Sequence, residues 1–163
     1  MDNVAHSLRI VDYDDRLAGA FHDINKAWIE DMFVYEEVDR VVLENPRKYI
    51  VDAGGVILFV EAEGRGIVGA GALKKSGEGE YELTKMGVTE DARGLKAGEF
   101  LLQALIARAG ELGVTKLYLL TNAKCEAAVH LYEKNGFAHD AEIMRDYGSS
   151  YDRCNVAMRW VGS

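Results

Sequence analysis

The sequence predicts an α/β domain with a mixed, mostly antiparallel sheet of about seven strands flanked by about four helices. Two observations carry that expectation. Apolar residues recur at helical spacing near the N-terminus, turn to extended runs between Val56 and Val88, and return to helical spacing after Gly98. Glycine-rich turns, Gly64-Arg65-Gly66 and Gly77-Glu78-Gly79, divide the extended region into consecutive strands. The 163 residues read as one domain spanning 1–163, long enough to bury most of its apolar surface in a core.

Leu8-Arg9-Ile10-Val11 reads as a first strand. Leu17, Phe21, Ile24, Trp28 and Met32 then form one apolar stripe on an amphipathic helix. A short second helix over 36–43 stops before Asn45-Pro46, because a residue preceding proline avoids helical geometry. Residues 56–63, 66–74 and 80–88 read as three antiparallel strands. Leu101, Leu102, Leu105, Ile106, Ala109 and Leu112 share one side of a longer helix that Gly113 ends. Residues 116–121 form the next strand. Ala128, Leu131 and Tyr132 lie on one face of a further helix, closed by Asn135-Gly136. Phe137 onward and 155–160 supply the last two strands.

Asp and Glu number 27 against 19 Lys and Arg, a formal charge of −8, and the basic residues are scattered. That balance argues against nucleic acid, whose binding needs a basic stripe to displace counterions. Between 30 and 44, Glu30, Asp31, Glu36, Glu37, Asp39 and Glu44 face Arg40 alone. The stretch reads as a solvated helix face, or as an acidic rim that attracts a cationic substrate. No apolar run approaches the ~20 residues of a membrane span, and Met1-Asp2-Asn3-Val4 does not open a secretory signal. Cys125 and Cys154 make neither a disulfide framework nor a metal knuckle, so a reducing cytoplasm is expected. His6, His22, His130 and His139 show no metal-ligand spacing, and no metal is expected.

Gly64-x-Gly66-x-x-Gly69 matches a dinucleotide fingerprint, but the fingerprint needs a helix to follow, and Ile67 to Leu73 reads as a strand. It is therefore read as a hairpin turn. The segment from Val88 to Gly98 differs, because it joins a strand to a strongly amphipathic helix. Glycines at such a junction let backbone N–H groups curl around an anion, and the helix dipole favours negative charge there. Arg93 and Lys96 add local positive charge.

Arg93-Gly94-Leu95-Lys96-Ala97-Gly98 resembles the Arg/Gln-x-x-Gly-x-Gly/Ala loop of the GNAT superfamily of acyl-CoA-dependent N-acetyltransferases. Leu131-Tyr132-Glu133-Lys134-Asn135-Gly136-Phe137 resembles that family's Leu-Tyr-x-x-x-Gly-Phe run. A helix and a strand separate the two, as in the family, and the element order is similar. Two departures stand out. Lys96 occupies the position of the loop's first glycine, and Cys125 stands where many members carry asparagine.

The resemblance implies a GNAT-like fold and acetyl transfer from acetyl-CoA, as co-substrate, to a primary amine of a small molecule, amino acid or peptide. The implied chemistry is direct attack in a ternary complex. Glu82 is the implied base, Tyr132 the acid and the Met86 N–H the oxyanion donor. Met86, Gly87, Val88, Arg93, Gly94, Leu95, Lys96, Ala97, Gly98, Asn122, Cys125 and Tyr132 are the implied cofactor-binding residues. On the acceptor side stand Trp28, Glu30, Tyr35 and Tyr151, with Asp31, Phe33, Ser150 and Arg153 as further candidates. The last strands offer an edge for a homodimer. A catalytically silent acyl-CoA-binding module of the same fold is the alternative.

Overall fold

Apolar runs too continuous for a one-sided sheet imply a sheet covered on both faces. The computed structural model, which describes residues 7–162 and of Arg93 only the backbone, has that form. His6 and the Arg93 side chain lie outside the described residues. Strands β1 (Leu8–Asp12), β2 (Val56–Ala62), β3 (Gly66–Gly77), β4 (Glu80–Val88), β5 (Lys116–Thr121), β6 (Phe137–His139) and β7 (Val156–Trp160) form one seven-stranded sheet. Its order is β1-β2-β3-β4-β5-β7-β6, and only β4 and β5 pair in parallel. A parallel pair needs a crossover, which α3 (Ala97–Glu111) supplies.

Successive side chains of a strand point to opposite faces. Leu58 and Val60 therefore join Leu83, Leu119, Leu101 and Leu105 beneath α3 and α4 (Glu126–Lys134). Ile57 and Phe59 instead join Phe21, Ile29, Val42 and Leu43 under α1 (Ala18–Met32) and α2 (Glu37–Glu44). Phe21 and Ile29 are fully buried, and such side chains each contribute about 1.5–3 kcal/mol.

The seven strands and the four expected helices are present, and the structure adds α5 (Ala141–Tyr147). The sequence reading ran extended from Phe137, but β6 ends at His139 and the Asp140 carboxylate caps α5 by accepting the Ile143 N–H at 3.0 Å. The helix has seven residues, and Ile143, Met144 and Tyr147, which pack together against β5 and β7, make only one turn of apolar repeat. A π-helical turn, Arg47–Val51, also follows Pro46. Gly64 and Gly66, both at φ +81°, turn β2 into β3, so the glycine fingerprint is a hairpin. Among the described residues no helix is long and apolar enough to cross a membrane.

Candidate active site

The parallel ladder between β4 and β5 runs from Glu80↔Lys116 to Leu83↔Leu119 and stops. Beyond it Leu120 and Thr121 pair only with β7, while β4 continues to pair with β3 alone. The backbone of residues 84–88 thus presents an unpaired edge. Within that edge Lys85 and Met86 together oppose only Gly71, a β-bulge. Lys85 sits at φ +52°, a left-handed conformation that costs a side-chain-bearing residue about 1–2 kcal/mol. Gly71 is needed opposite: a Cβ there would meet Leu105 Cδ1 at 2.9 Å and Met86 Cγ at 3.1 Å.

Past Val88 the chain makes a 3-10 turn, Glu90–Leu95, before entering α3. The Thr89 hydroxyl donates to Asp91 at 2.7 Å, and Arg65 from the β2–β3 turn donates to the Asp91 carbonyl at 2.6 Å. Lys96 then adopts φ +61° and ψ +25°, and among the described residues no side chain caps α3. The first-turn N–H groups of α3 therefore lack an intrahelical partner and favour an anion. Glu99, in that turn, is drawn aside by Lys134 at 3.1 Å and Asn135 at 3.2 Å. Gly94 has open space where a side chain would stand. The left-handed conformation explains why glycine suits the position that Lys96 holds. Lys96→Gly is expected to leave the melting temperature unchanged or raise it, whereas Lys96→Val should lower it in thermal melts, because a β-branched side chain tolerates the left-handed region less well than lysine.

On the face of β4 opposite α3 lies a buried polar cluster. Glu82, 8% exposed, accepts a hydrogen bond from the Tyr151 hydroxyl at 3.0 Å. That hydroxyl accepts in turn from Thr84 at 3.2 Å and from the Lys85 ammonium at 3.4 Å. Lys85 also pairs with Asp39 at 3.0 Å. Asp39, wholly buried, accepts from both terminal nitrogens of Arg153 at 2.8 Å and from the Glu36 N–H at 3.0 Å. Glu36 accepts from Arg153 at 3.1 Å and from the Asp152 N–H at 3.0 Å.

Burial pushes the Glu82 pKa up, an effect that Lys85 and Tyr151 only partly offset. Burial likewise lowers that of Lys85 against the pull of Asp39 and Glu82. Burial alone would raise Asp39, but the Arg153 hydrogen bonds and the Lys85 charge outweigh it and hold the carboxyl below its usual range.

These contacts correct the reading of 30–44. Glu37 and Glu44 bracket Arg40 on a solvated face, as expected, but Asp39 belongs to the interior and Glu36 is largely covered. The signal was present: Asp39 lies three and four residues before Val42 and Leu43, on the same buried face of α2.

The other predicted residues divide between the two faces. Tyr132, with the edge of Phe137 at 5.9 Å, lies in the core beneath α3 and α4 that Met86 also contacts. Burial raises its pKa, which keeps the phenol neutral. Glu82 and Tyr132 thus lie on opposite faces of the sheet. Trp28 packs over Gly87, where a Cβ would meet its Cδ1 at 2.5 Å, and its indole N–H donates to Asn25 at 2.9 Å.

The Tyr35 hydroxyl is buried without a partner among the described residues. Glu30, Asp31, Phe33 and Arg153 line an open cleft with Val34, Glu36 and Asp152, while Ser150 is exposed in a 3-10 turn. Asn122 spends its amide on the Arg153 carbonyl at 2.7 Å and its oxygen on the Lys124 N–H at 2.8 Å. Cys125 immediately precedes α4 at its N-cap position, and both it and Cys154 are free thiols. Among the described residues no three His, Cys, Asp or Glu side chains gather as metal ligands would.

The model of the Acetyltransferase (GNAT) family matches residues 21–137. An uncharacterized N-acetyltransferase of Mycobacterium bovis is 30% identical over 112 residues, 69% of this chain and 71% of that protein. A crystal structure of a GNAT family acetyltransferase from Staphylococcus aureus matches with a TM-score of 0.83 at 24% identity, covering 94% of this chain and 98% of that one. An N-acetyltransferase from Thermoplasma acidophilum in complex with coenzyme A matches with a TM-score of 0.70 at 16% identity, covering 94% and 98%. Those two likenesses concern the fold. The chain belongs to the GNAT acetyltransferase family, whose chemistry is acyl transfer to amines.

Proposed function

We propose that this protein transfers an acetyl group from acetyl-CoA to a primary amine of a small molecule, amino acid or peptide, by direct attack while both substrates are held. One observation carries the reading: the β4–β5 ladder ends at Leu83↔Leu119, and the unpaired edge it leaves leads to the uncapped start of α3. Such an edge suits an extended, amide-bearing arm, which pairs as an added strand would. The helix start suits a pyrophosphate. The residues present therefore fit acetyl-CoA. Met86, Gly87 and Val88 hold the arm, Arg93, Gly94, Leu95, Lys96, Ala97 and Gly98 the phosphates, with Asn122, Cys125 and Tyr132 alongside. When bound, acetyl-CoA supplies the acyl group as an activated thioester.

An amine arrives as its ammonium and must lose a proton before it can attack. Glu82 takes that proton, directly or through a water, and its raised pKa makes it a stronger base than an exposed carboxylate. The Met86 N–H, at the bulge, meets the charge that develops on the carbonyl oxygen. The neutral Tyr132 phenol donates a hydrogen bond to the departing sulfur, and as the carbon–sulfur bond breaks the second proton shed by the attacking nitrogen ends on that sulfur, so the products are the amide and the free thiol. Trp28, Tyr35 and Tyr151 form the acceptor side, and exposed Glu30 and Asp31 draw a cationic amine toward it. The two free thiols fit a reducing cytoplasm.

Calorimetric titration of acetyl-CoA into the purified protein is expected to saturate at micromolar concentration, with NAD silent. Absence of binding removes this reading. A panel of primary amines then distinguishes an enzyme, which acetylates at least one of them, from a silent binder that turns over none.

A further inference from the structure

We propose that the buried Lys85–Asp39 ion pair is a positioning device: it holds Lys85 in the left-handed conformation that the β4 bulge requires, and thereby fixes the direction of the Met86 N–H. The inference rests on the reading of Met86 as the group that meets the acetyl carbonyl.

Three observations meet at this point. Two β4 residues oppose one on β3, and the first of them has positive φ, the geometry of a bulge whose first position favours glycine. A lysine there gives up the conformational ease of glycine, so something else must hold the backbone. Its ammonium is anchored 3.0 Å from Asp39, with side-chain exposures of 3% and 0%. Asp39 cannot follow the lysine if it moves, because Arg153 grips both its oxygens and the α2 N-terminus uses it as a cap. The ammonium is thus tied to α2, the left-handed residue is tied to the ammonium, and Met86 is the next residue along. Lys85 and Asp39 touch no substrate in this account and act only through the peptide that follows.

A rival role for Lys85 is purely electrostatic, as a charge that keeps Glu82 ionised. Two substitutions separate the roles. Lys85→Met and Lys85→Gly both remove the ammonium, but only glycine enters the left-handed region without steric cost. The readout is the infrared carbonyl band of acetyl-CoA carrying a 13C-labelled acetyl carbonyl, recorded at saturation with each protein. Hydrogen bonding to the carbonyl moves this band to lower frequency, and no acceptor amine is needed.

The wild-type protein is expected to red-shift the band on binding. Lys85→Met should lose more than half of that shift, and Lys85→Gly should keep most of it. Equal shifts in the two variants, or wild-type binding without a shift, overturn the positioning role while leaving the acetyl-CoA reading in place. Failure of the wild type to bind acetyl-CoA overturns both. Asp39→Asn keeps the side chain's shape and removes the carboxylate charge that holds the ammonium, and gives the comparison if Lys85→Met does not fold. Its shift should fall below that of the wild type, and a full wild-type shift overturns the proposal.

Discussion

Glu82→Gln is expected to lower kcat/KM for the amine about 100-fold near neutral pH, with acetyl-CoA affinity unchanged. Glutamine keeps the size of the side chain and still accepts the Tyr151 hydrogen bond, so the loss isolates the proton acceptor. The working form of Glu82 is the carboxylate. Because burial raises its pKa, the wild-type rate should rise with pH through that raised value and fall away below it. In the variant this limb disappears and only the ionisation of the amine remains. The deficit is therefore largest between the raised Glu82 value and the ordinary amine pKa of ~10, where the wild type has its carboxylate and free amine is still scarce, and it narrows on either side.

Stability supplies the control. A carboxyl whose folded pKa is raised contributes stability that is fully present below its unfolded pKa and is lost as pH rises through the folded one. An uncharged glutamine escapes that loss, so the variant should melt no lower than the wild type at pH 7. A pH–rate profile identical to that of the wild type would remove Glu82 as the base.

Asp39→Ala should have the largest effect on stability, about 3–5 kcal/mol in urea unfolding, because it leaves the Lys85 ammonium buried without its partner. The same change strips the N-terminus of α2 of a cap, worth about 1 kcal/mol in typical cases. The double variant Asp39→Ala/Lys85→Met should lie closer to the wild type than Asp39→Ala alone, since the stranded charge is gone. A double variant as unstable as the two single losses added together would show that the pair is not coupled. Acid gives a second check. The Asp39 pKa is held low, so its contribution is present above the unfolded carboxylate value of ~3.9 and is lost as pH falls through the folded value. The wild type should therefore lose stability more steeply than Asp39→Ala in that acid window.

Burial on two sides writes strong patterns into a chain, which is why the apolar run Val56 to Val60 and the stripe from Leu17 to Met32 gave their elements so directly. The helix after Asp140 escaped because Ile143, Met144 and Tyr147 span a single turn, too short a repeat to separate a helix from a strand. The place of the loop between strand and helix was legible from its glycines, and the structure has it as a 3-10 turn leading into α3. Lys96 in the place of glycine was visible as a departure, but its left-handed conformation was not.

The polar cluster was legible only in pieces. Glu82, Tyr151 and Arg153 were each named, but nothing local announces that Tyr151 reaches Glu82 across 69 residues or that Arg153 grips Asp39 across 114. The bulge at Lys85 left no trace at all, since a strand-length run of residues looks the same with or without one positive φ.

Those long separations bear on how the molecule is made. A chain emerging from the ribosome completes α2, β2, β3, β4 and β5 well before residues 151–160 appear, and domains fold as their parts become available. Until then Asp39 and Lys85 lack Arg153 and Tyr151, and β5 lacks the β7 neighbour that covers its second edge. An open strand edge of that kind invites pairing with other chains. Arrival of β7 and the residues before it closes the edge, adds Tyr151 to Glu82 and ties Arg153 to Asp39 of α2 in one event. The strand that covers a sticky edge thus arrives with the residues that complete the buried polar cluster, so one late segment settles both.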